Sequence, residues 1–151
     1  MGGTRKYRVL FVCIGNACRS PMAEAIAHRE AAEVIEPASA GLYPLGRIAE
    51  RTIETLVASG YSADGLSSKS ISREAVEEAD LVVNLSGARI DYLFASAPSK
   101  LRHSQQLENW DVADPYGEDA ATYQRILEEI ESKVRQLANR LRVAEGRPAK
   151  G

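Results

Sequence analysis

The chain has 151 residues, 44% of them hydrophobic and 26% charged, with a formal net charge of -2 at pH 7. That length supports one domain with a sizeable core, and the near-balanced charge supplies no bulk field to draw nucleic acid or an anionic membrane surface. No apolar run approaches the ~20 residues that cross a bilayer, so a cytoplasmic enzyme or binding domain with no nucleic-acid or membrane partner is the expected class.

Residues 1–6 are expected to be a flexible N-terminus. The apolar stretch behind them is short and broken by Gly15, Asn16 and Arg19, which does not fit a signal peptide. Arg8 to Cys13 (RVLFVC) is a β-branched and aromatic run of strand length. Ser20-Pro21 opens a helix, since proline suits the first turn, and Met22, Ala23, Ile26 and Ala27 give that helix an apolar face. Val34 to Ala40 (VIEPASA) predicts a weaker strand, with Pro37 favouring a sheet edge. Gly41 to Gly46 (GLYPLG) predicts a loop. Glu50 to Ser59 predicts a helix with Ile53, Leu56 and Val57 on its buried side and Gly60 as its stop. Ser72 is a candidate N-cap for a helix beginning at Arg73. Leu81 to Leu85 (LVVNL) predicts an internal strand, Leu101 to Gln106 a fourth, and Leu107 to Gly117 (LENWDVADPYG) a turn-rich loop. Tyr123, Ile126, Leu127, Ile130, Val134, Leu137 and Leu141 recur at helical spacing and predict a long amphipathic helix over Ala120 to Val143. Residues 7–143 then form the domain, and 144–151 are expected to be a flexible tail.

Strands alternating with helices argue a single α/β domain of three layers with a mostly parallel sheet. Ligands in such folds sit beyond the carboxyl ends of the strands. Cys13 occupies that position at the end of the first strand, and a turn follows it: Cys13, Ile14, Gly15, Asn16, Ala17, Cys18, Arg19, Ser20. A strand-to-helix turn aims backbone N–H groups inward, and the helix start adds partial positive charge, so the turn suits a tetrahedral anion. Gly15 and Asn16 are residue types that tolerate left-handed backbone. Arg19 adds a planar fork that can donate two parallel bonds to phosphate oxygens. A cysteine at this mouth is lowered in pKa by the helix start and the nearby cation, and Ser20 can donate its hydroxyl to the sulfur.

Other readings of the same residues stand beside this one. A cysteine ending a strand is commonly inert packing. The turn lacks the Gly-Lys-Ser/Thr of an ATP loop. Cys13 and Cys18 are five apart rather than spaced C-x-x-C, and a zinc site needs two further soft ligands that His28 and His103 do not supply at matching spacing.

The octet Cys13 to Ser20, with Phe11-Val12 before it and Pro21-Met22-Ala23-Glu24 after it, resembles the signature of the low-molecular-weight protein tyrosine phosphatase family, in its bacterial type. Ser39-Ala40-Gly41 with Gly46-Arg47 resembles the family's second loop, Ala79-Asp80-Leu81-Val82 its third-strand entry, and Asp114-Pro115-Tyr116-Gly117 its general-acid loop. The resemblance implies a four-stranded parallel sheet flanked by helices, with the phosphate-binding loop after the first strand and no metal or cofactor. It implies Cys13 as nucleophile, Arg19 as transition-state clamp and Asp114 as general acid, with Asp111 and Asp119 as fallbacks. It also implies that Asn16 braces the loop and that Cys18 is the second signature cysteine, able to pair reversibly with Cys13. Tyr43 and Tyr116 are the candidate walls for a flat substrate group, while Trp110 suits core or loop anchoring better.

The chain departs from the family pattern at Ala17, where tyrosine-directed relatives often carry a bulky aliphatic residue and arginine-directed relatives threonine. Val83-Asn84-Leu85 stands where many relatives have Met-Asp, and Tyr116 stands alone before Gly117. The expected activity is hydrolysis of protein phosphotyrosine through a phosphocysteine. A protein arginine phosphatase of the same mechanism and an arsenate reductase using an external small thiol are the alternatives. Phosphate or other oxyanions would occupy the loop, a phosphorylated protein would be the partner, and the protein is expected to be a monomer or weak dimer.

Overall fold

The computed structural model describes residues 6–94 and 106–151. Four strands, β1 (Tyr7–Cys13), β2 (Ile35–Gly41), β3 (Leu81–Asn84) and β4 (Gln106–Asn109), form one sheet in the order β2-β1-β3-β4. Every pairing is parallel. The helices are α1 (Arg19–Glu30), α2 (Glu50–Ala58), α3 (Arg73–Glu78) and α4 (Ala120–Ala144), with a short 3-10 turn at Asp91–Phe94.

The period-two alternation of β1 decides the layering. Val9, Phe11 and Cys13 face one side and pack with Met22, Ile26, Leu56, Leu127, Ile130 and Leu137 from α1, α2 and α4. Leu10 and Val12 face the other side and pack with Val76 before the end of α3, Val82 and Ile90. Full burial of each such aliphatic or aromatic side chain is worth about 1.5–3 kcal/mol, so the larger cluster fixes the sheet against α1 and α4. Both helix faces expected to be apolar, on α1 and α4, are buried. The cap at Ser72 is present, its side chain accepting from Ala75 N. Pro37 lies on the edge strand β2, where a missing N–H is tolerated.

Two expectations are corrected. The fourth strand is Gln106–Asn109, inside the stretch expected to be loop. Of the expected Leu101 to Gln106, all but Gln106 lies outside the described residues, as does His103. Leu107 is the one apolar residue of the observed strand, too little for a pattern to register, and pairing with β3 makes the strand. On α2 the buried residues are Thr52, Thr55 and Leu56, whereas Ile53 and Val57 face outward. Thr52 is drawn inside because its hydroxyl donates to the Ala17 carbonyl at 2.8 Å. Of the two turn residues that tolerate left-handed backbone, Asn16 adopts it, at φ 47°, and Gly15 does not.

The residues after Ala144 fold back on the body. Arg147 Nη1 donates to the Glu33 carbonyl at 3.1 Å, and Lys150 Nζ lies 3.2 Å from the Glu33 carboxylate. Arg142, buried on α4, clasps the same carboxylate with Nη2 and Nε at 3.0 and 3.4 Å.

Candidate active site

β1 ends at Cys13, opposite Gly41 of β2, and α1 begins at Arg19. The connecting loop has its carbonyls turned outward by a ring of donors. Leu42 N donates to Cys13 O (3.0 Å), Tyr43 N to Ile14 O (2.8 Å), Leu45 N to Gly15 O (2.8 Å) and Ala49 N to Ala17 O (3.1 Å). In a trans peptide the N–H opposes the C=O, so outward carbonyls aim the following N–H groups into the bowl. Among the described residues, no backbone carbonyl accepts from the N–H groups of Ile14 to Arg19.

Asn16 holds this shape from within. It is fully buried, and its left-handed φ is one that asparagine adopts more readily than most residues. Its Oδ1 accepts from Lys69 N at 2.9 Å, which leaves Nδ2 to donate to Ser20 Oγ (2.8 Å) and Ser39 Oγ (3.0 Å). Ser39 Oγ in turn donates a hydrogen bond to Glu24 Oε1 at 2.5 Å. Because Ser20 Oγ already accepts from Asn16, its proton is free for the Cys13 sulfur 2.9 Å away. The competing Ala40 carbonyl is farther, at 3.5 Å. A directional chain of hydrogen bonds therefore ends in a hydroxyl donated to the Cys13 sulfur.

Arg19 is buried at 5% exposure. Its Nη1 is pinned by the carbonyls of Leu85 (2.6 Å) and Val112 (3.1 Å). Nη2 lies 3.6 Å from Asp114 Oδ2, and Nε is buried without a hydrogen-bond partner. The Nε/Nη2 edge is the one a guanidinium uses for bidentate oxyanion binding; here its Nε has no partner and its Nη2 faces only the Asp114 carboxylate, beyond hydrogen-bond distance. Asp114 is half-exposed and accepts from Tyr116 N at 3.1 Å, which sets its carboxylate angle.

A pocket of about 200 Å³ has Cys13, Ile14, Gly15, Ala17, Cys18 and Arg19 as its floor and Tyr43, Leu45, Asp114 and Tyr116 as its walls. Tyr43 and Tyr116 remain 78% and 51% exposed, so each offers a ring face to an entering group. The structure thus gathers every residue expected at the site around one bowl. Leu45 was not anticipated, although an apolar side chain between Pro44 and Gly46 in a solvent loop is a visible signal. The fallback acids stand apart: Asp111 lines a larger crevice of about 490 Å³ at the ends of β3 and β4, and Asp119 caps α4 by accepting from Thr122 N. Cys18 sits beneath the loop with its sulfur 3.4 Å from Tyr123 Oη. Burial pushes its pKa up, so it stays a thiol at neutral pH. Trp110 packs on Phe11 in the core, with ring centroids 5.9 Å apart. Among the described residues no cluster of three His, Cys, Asp or Glu is arranged to hold a metal ion, and no helix is long and apolar enough to cross a membrane.

The family model described as low molecular weight phosphotyrosine protein phosphatase matches residues 8–146. A protein-arginine-phosphatase of Bacillus subtilis (strain 168) is 32% identical over 146 residues, covering 89% of this chain and 96% of that protein. The low molecular weight protein-tyrosine-phosphatase Wzb of Escherichia coli (strain K12) is 32% identical over 139 residues, covering 88% and 94%. A solved arsenate reductase in the phosphate binding state superposes with a TM-score of 0.76 at 26% identity, covering 89% of this chain and 98% of that one.

Proposed function

The chain belongs to the low molecular weight phosphotyrosine protein phosphatase family, a family of phosphoric monoester hydrolases. From that premise we propose that it removes phosphate from tyrosine in proteins through a phosphocysteine on Cys13. The observation that carries this reading is the unpartnered Nε of buried Arg19, set in the same pocket as the thiol of Cys13 and the carboxylate of Asp114.

In this reading a phosphate dianion lies in the bowl, held by the inward N–H groups of the loop and the Arg19 fork. The Cys13 thiolate, stabilised by Ser20, attacks phosphorus in line with the departing oxygen. Asp114, as the carboxylic acid, gives its proton to the leaving phenoxide. The same carboxylate then takes a proton from water as water attacks the phosphocysteine, and Ser20 stabilises the departing thiolate. Tyr43, Leu45 and Tyr116 offer an apolar, partly aromatic mouth that suits a phenyl ring, with stacking worth about 0.5–1.5 kcal/mol beyond burial.

Arginine-directed hydrolysis is the second reading, favoured by the likeness to the Bacillus subtilis enzyme over most of both chains. The walls speak for tyrosine, because Asp114 is the one acidic residue among the described pocket-lining groups and a phosphoguanidine leaving group carries several donors. We also infer a cytoplasmic monomer or weak dimer acting on phosphoproteins, in keeping with the near-neutral charge. The test is kcat/KM on matched phosphotyrosine and phosphoarginine peptides with the reduced enzyme, beside a Cys13→Ser control. Preference for phosphotyrosine, with no turnover but retained phosphate binding in the control, is the expected result. Preference for phosphoarginine replaces the substrate and keeps the mechanism, whereas turnover by Cys13→Ser removes the nucleophile assignment.

A further inference from the structure

The segment Ser68 to Ile71 belongs to none of the four strands, yet it runs beside the end of β2. Gly41 N donates to Lys69 O and Ile71 N to Gly41 O, each at 2.9 Å, and Gly41 bridges Ser70 in the parallel sense. At the leading end of this segment stands Ser68, half-buried between two functional loops. Its Oγ donates to the Gly15 carbonyl at 2.9 Å and accepts from Gly46 N at 3.0 Å. The direction of both bonds is fixed, because a carbonyl only accepts and a backbone N–H only donates.

One hydroxyl therefore ties the oxyanion loop to the end of the loop that carries Tyr43 and Leu45. The two ends of this tie are unequal. The Gly15 carbonyl has a second donor in Leu45 N. Gly46 N has no other acceptor among the described residues, and Gly46 sits in left-handed backbone at φ +92°. Removing the hydroxyl leaves the bowl with its remaining donor and frees Gly46 N, so that the wall is held at Tyr43 and Leu45 only by their backbone bonds to the Ile14 and Gly15 carbonyls.

We propose that Ser68 is a positioning residue for the leaving-group side of the substrate, setting the distance of the Tyr43/Leu45 wall from the phosphate. This rests on the phosphatase reading of the same pocket. The proposal predicts a split: binding of the aryl part weakens while binding of the oxyanion holds.

The test measures, on the full chain, the affinity for a non-hydrolysable aryl phosphonate and for inorganic phosphate by calorimetry, together with kcat and KM on an aryl phosphate. Ser68→Ala should weaken phosphonate binding and raise KM by about 3–10-fold, the range of one net hydrogen bond, with phosphate affinity and kcat within about twofold. Ser68→Thr keeps the hydroxyl and should restore the wild-type values to within about twofold, whereas isosteric Ser68→Val should behave as Ser68→Ala. Equal losses for phosphonate and phosphate overturn the proposal, because Ser68 then acts on the bowl. Unchanged phosphonate affinity, or a Thr variant that melts like wild type and binds like Val, overturns it as well. A wild-type enzyme that binds phosphonate and turns nothing over refutes the functional reading instead, and the binding split still decides the role of Ser68.

Discussion

Gly41→Ala is expected to damage both the fold and the bowl, for reasons that can be worked from contact distances. A Cβ built on Gly41 would lie 2.8 Å from Ile14 O and 2.9 Å from both the Cβ and the N of Asn16. Three rigid neighbours are involved, none of them the far end of a flexible side chain. Carbon atoms rest at about 3.5–4.0 Å from one another, so the oxyanion loop has to retreat by about half an ångström. Overpacking of this kind costs about 1–3 kcal/mol. Half an ångström is also the tolerance within which a preorganised site works. The displaced residue is Asn16, whose amide sends a hydrogen bond to Ser20 and so orders the thiol. Denaturant unfolding should show a lower midpoint at unchanged slope, equivalent to about 1–3 kcal/mol. Phosphate affinity should fall at least about tenfold, the equivalent of 1.4 kcal/mol. Gly15→Ala is the control: the nearest atoms to a Cβ there are 3.8 and 3.9 Å away, so its midpoint should stay within about 0.5 kcal/mol of wild type. A Gly41→Ala protein with wild-type midpoint and phosphate affinity would refute the reasoning.

Three further outcomes are expected. Arg19→Lys keeps the charge but loses both the Leu85/Val112 anchor geometry and the bidentate edge, so kcat/KM on aryl phosphate should collapse; near-wild-type activity would falsify the clamp. Asp114→Asn should lower kcat by about 10²–10⁴ for a leaving group of high pKa and much less for an activated one, and a uniform loss across leaving groups would point away from proton donation. The hydrogen-bonded Arg142 guanidinium holds the Glu33 carboxyl below its usual range. A depressed carboxylate stabilises the fold above its unfolded pKa and loses that contribution as pH falls through the folded value. The stability gap between wild type and Glu33→Gln should therefore be full at pH 7 and shrink towards pH 3; a gap independent of pH would show that the pair contributes nothing through charge.

The octet Cys13 to Ser20 was legible because its chemistry is local: strand, turn, arginine and helix start follow one another within eight residues. The parallel sheet was legible for a related reason, since the alternation of β1 and the helical spacing of α1 and α4 each report a buried face. What stayed hidden is non-local. The demand for glycine falls at Gly41, set by the approach of Ile14 and Asn16 from a different strand end, rather than at Gly15 within the turn. The bracing of the bowl by Lys69 N is a backbone bond, for which any side chain would serve, so residue type carries no trace of it. The buried side of α2 was misread because a hydrophobicity pattern assigns Thr52 outward, whereas its hydroxyl has a carbonyl to meet inside. β4 escaped for want of apolar residues, its place being set by the neighbouring β3.

Tyr7 opens β1, and its hydroxyl donates to Glu145 Oε2 at 2.6 Å across 138 residues of chain. Cys13 closes the same strand, and six rises of about 3.3 Å put it about 20 Å away. The first strand and the end of the last helix are thus buttoned together at the pole opposite the bowl. A short linker joining these two points would close the chain into a ring without crossing the pocket, and new ends opened in an exposed turn should yield a working permutant. The same geometry recommends that pole for tethering to a solid support, where the protein would stand with its mouth facing the solution.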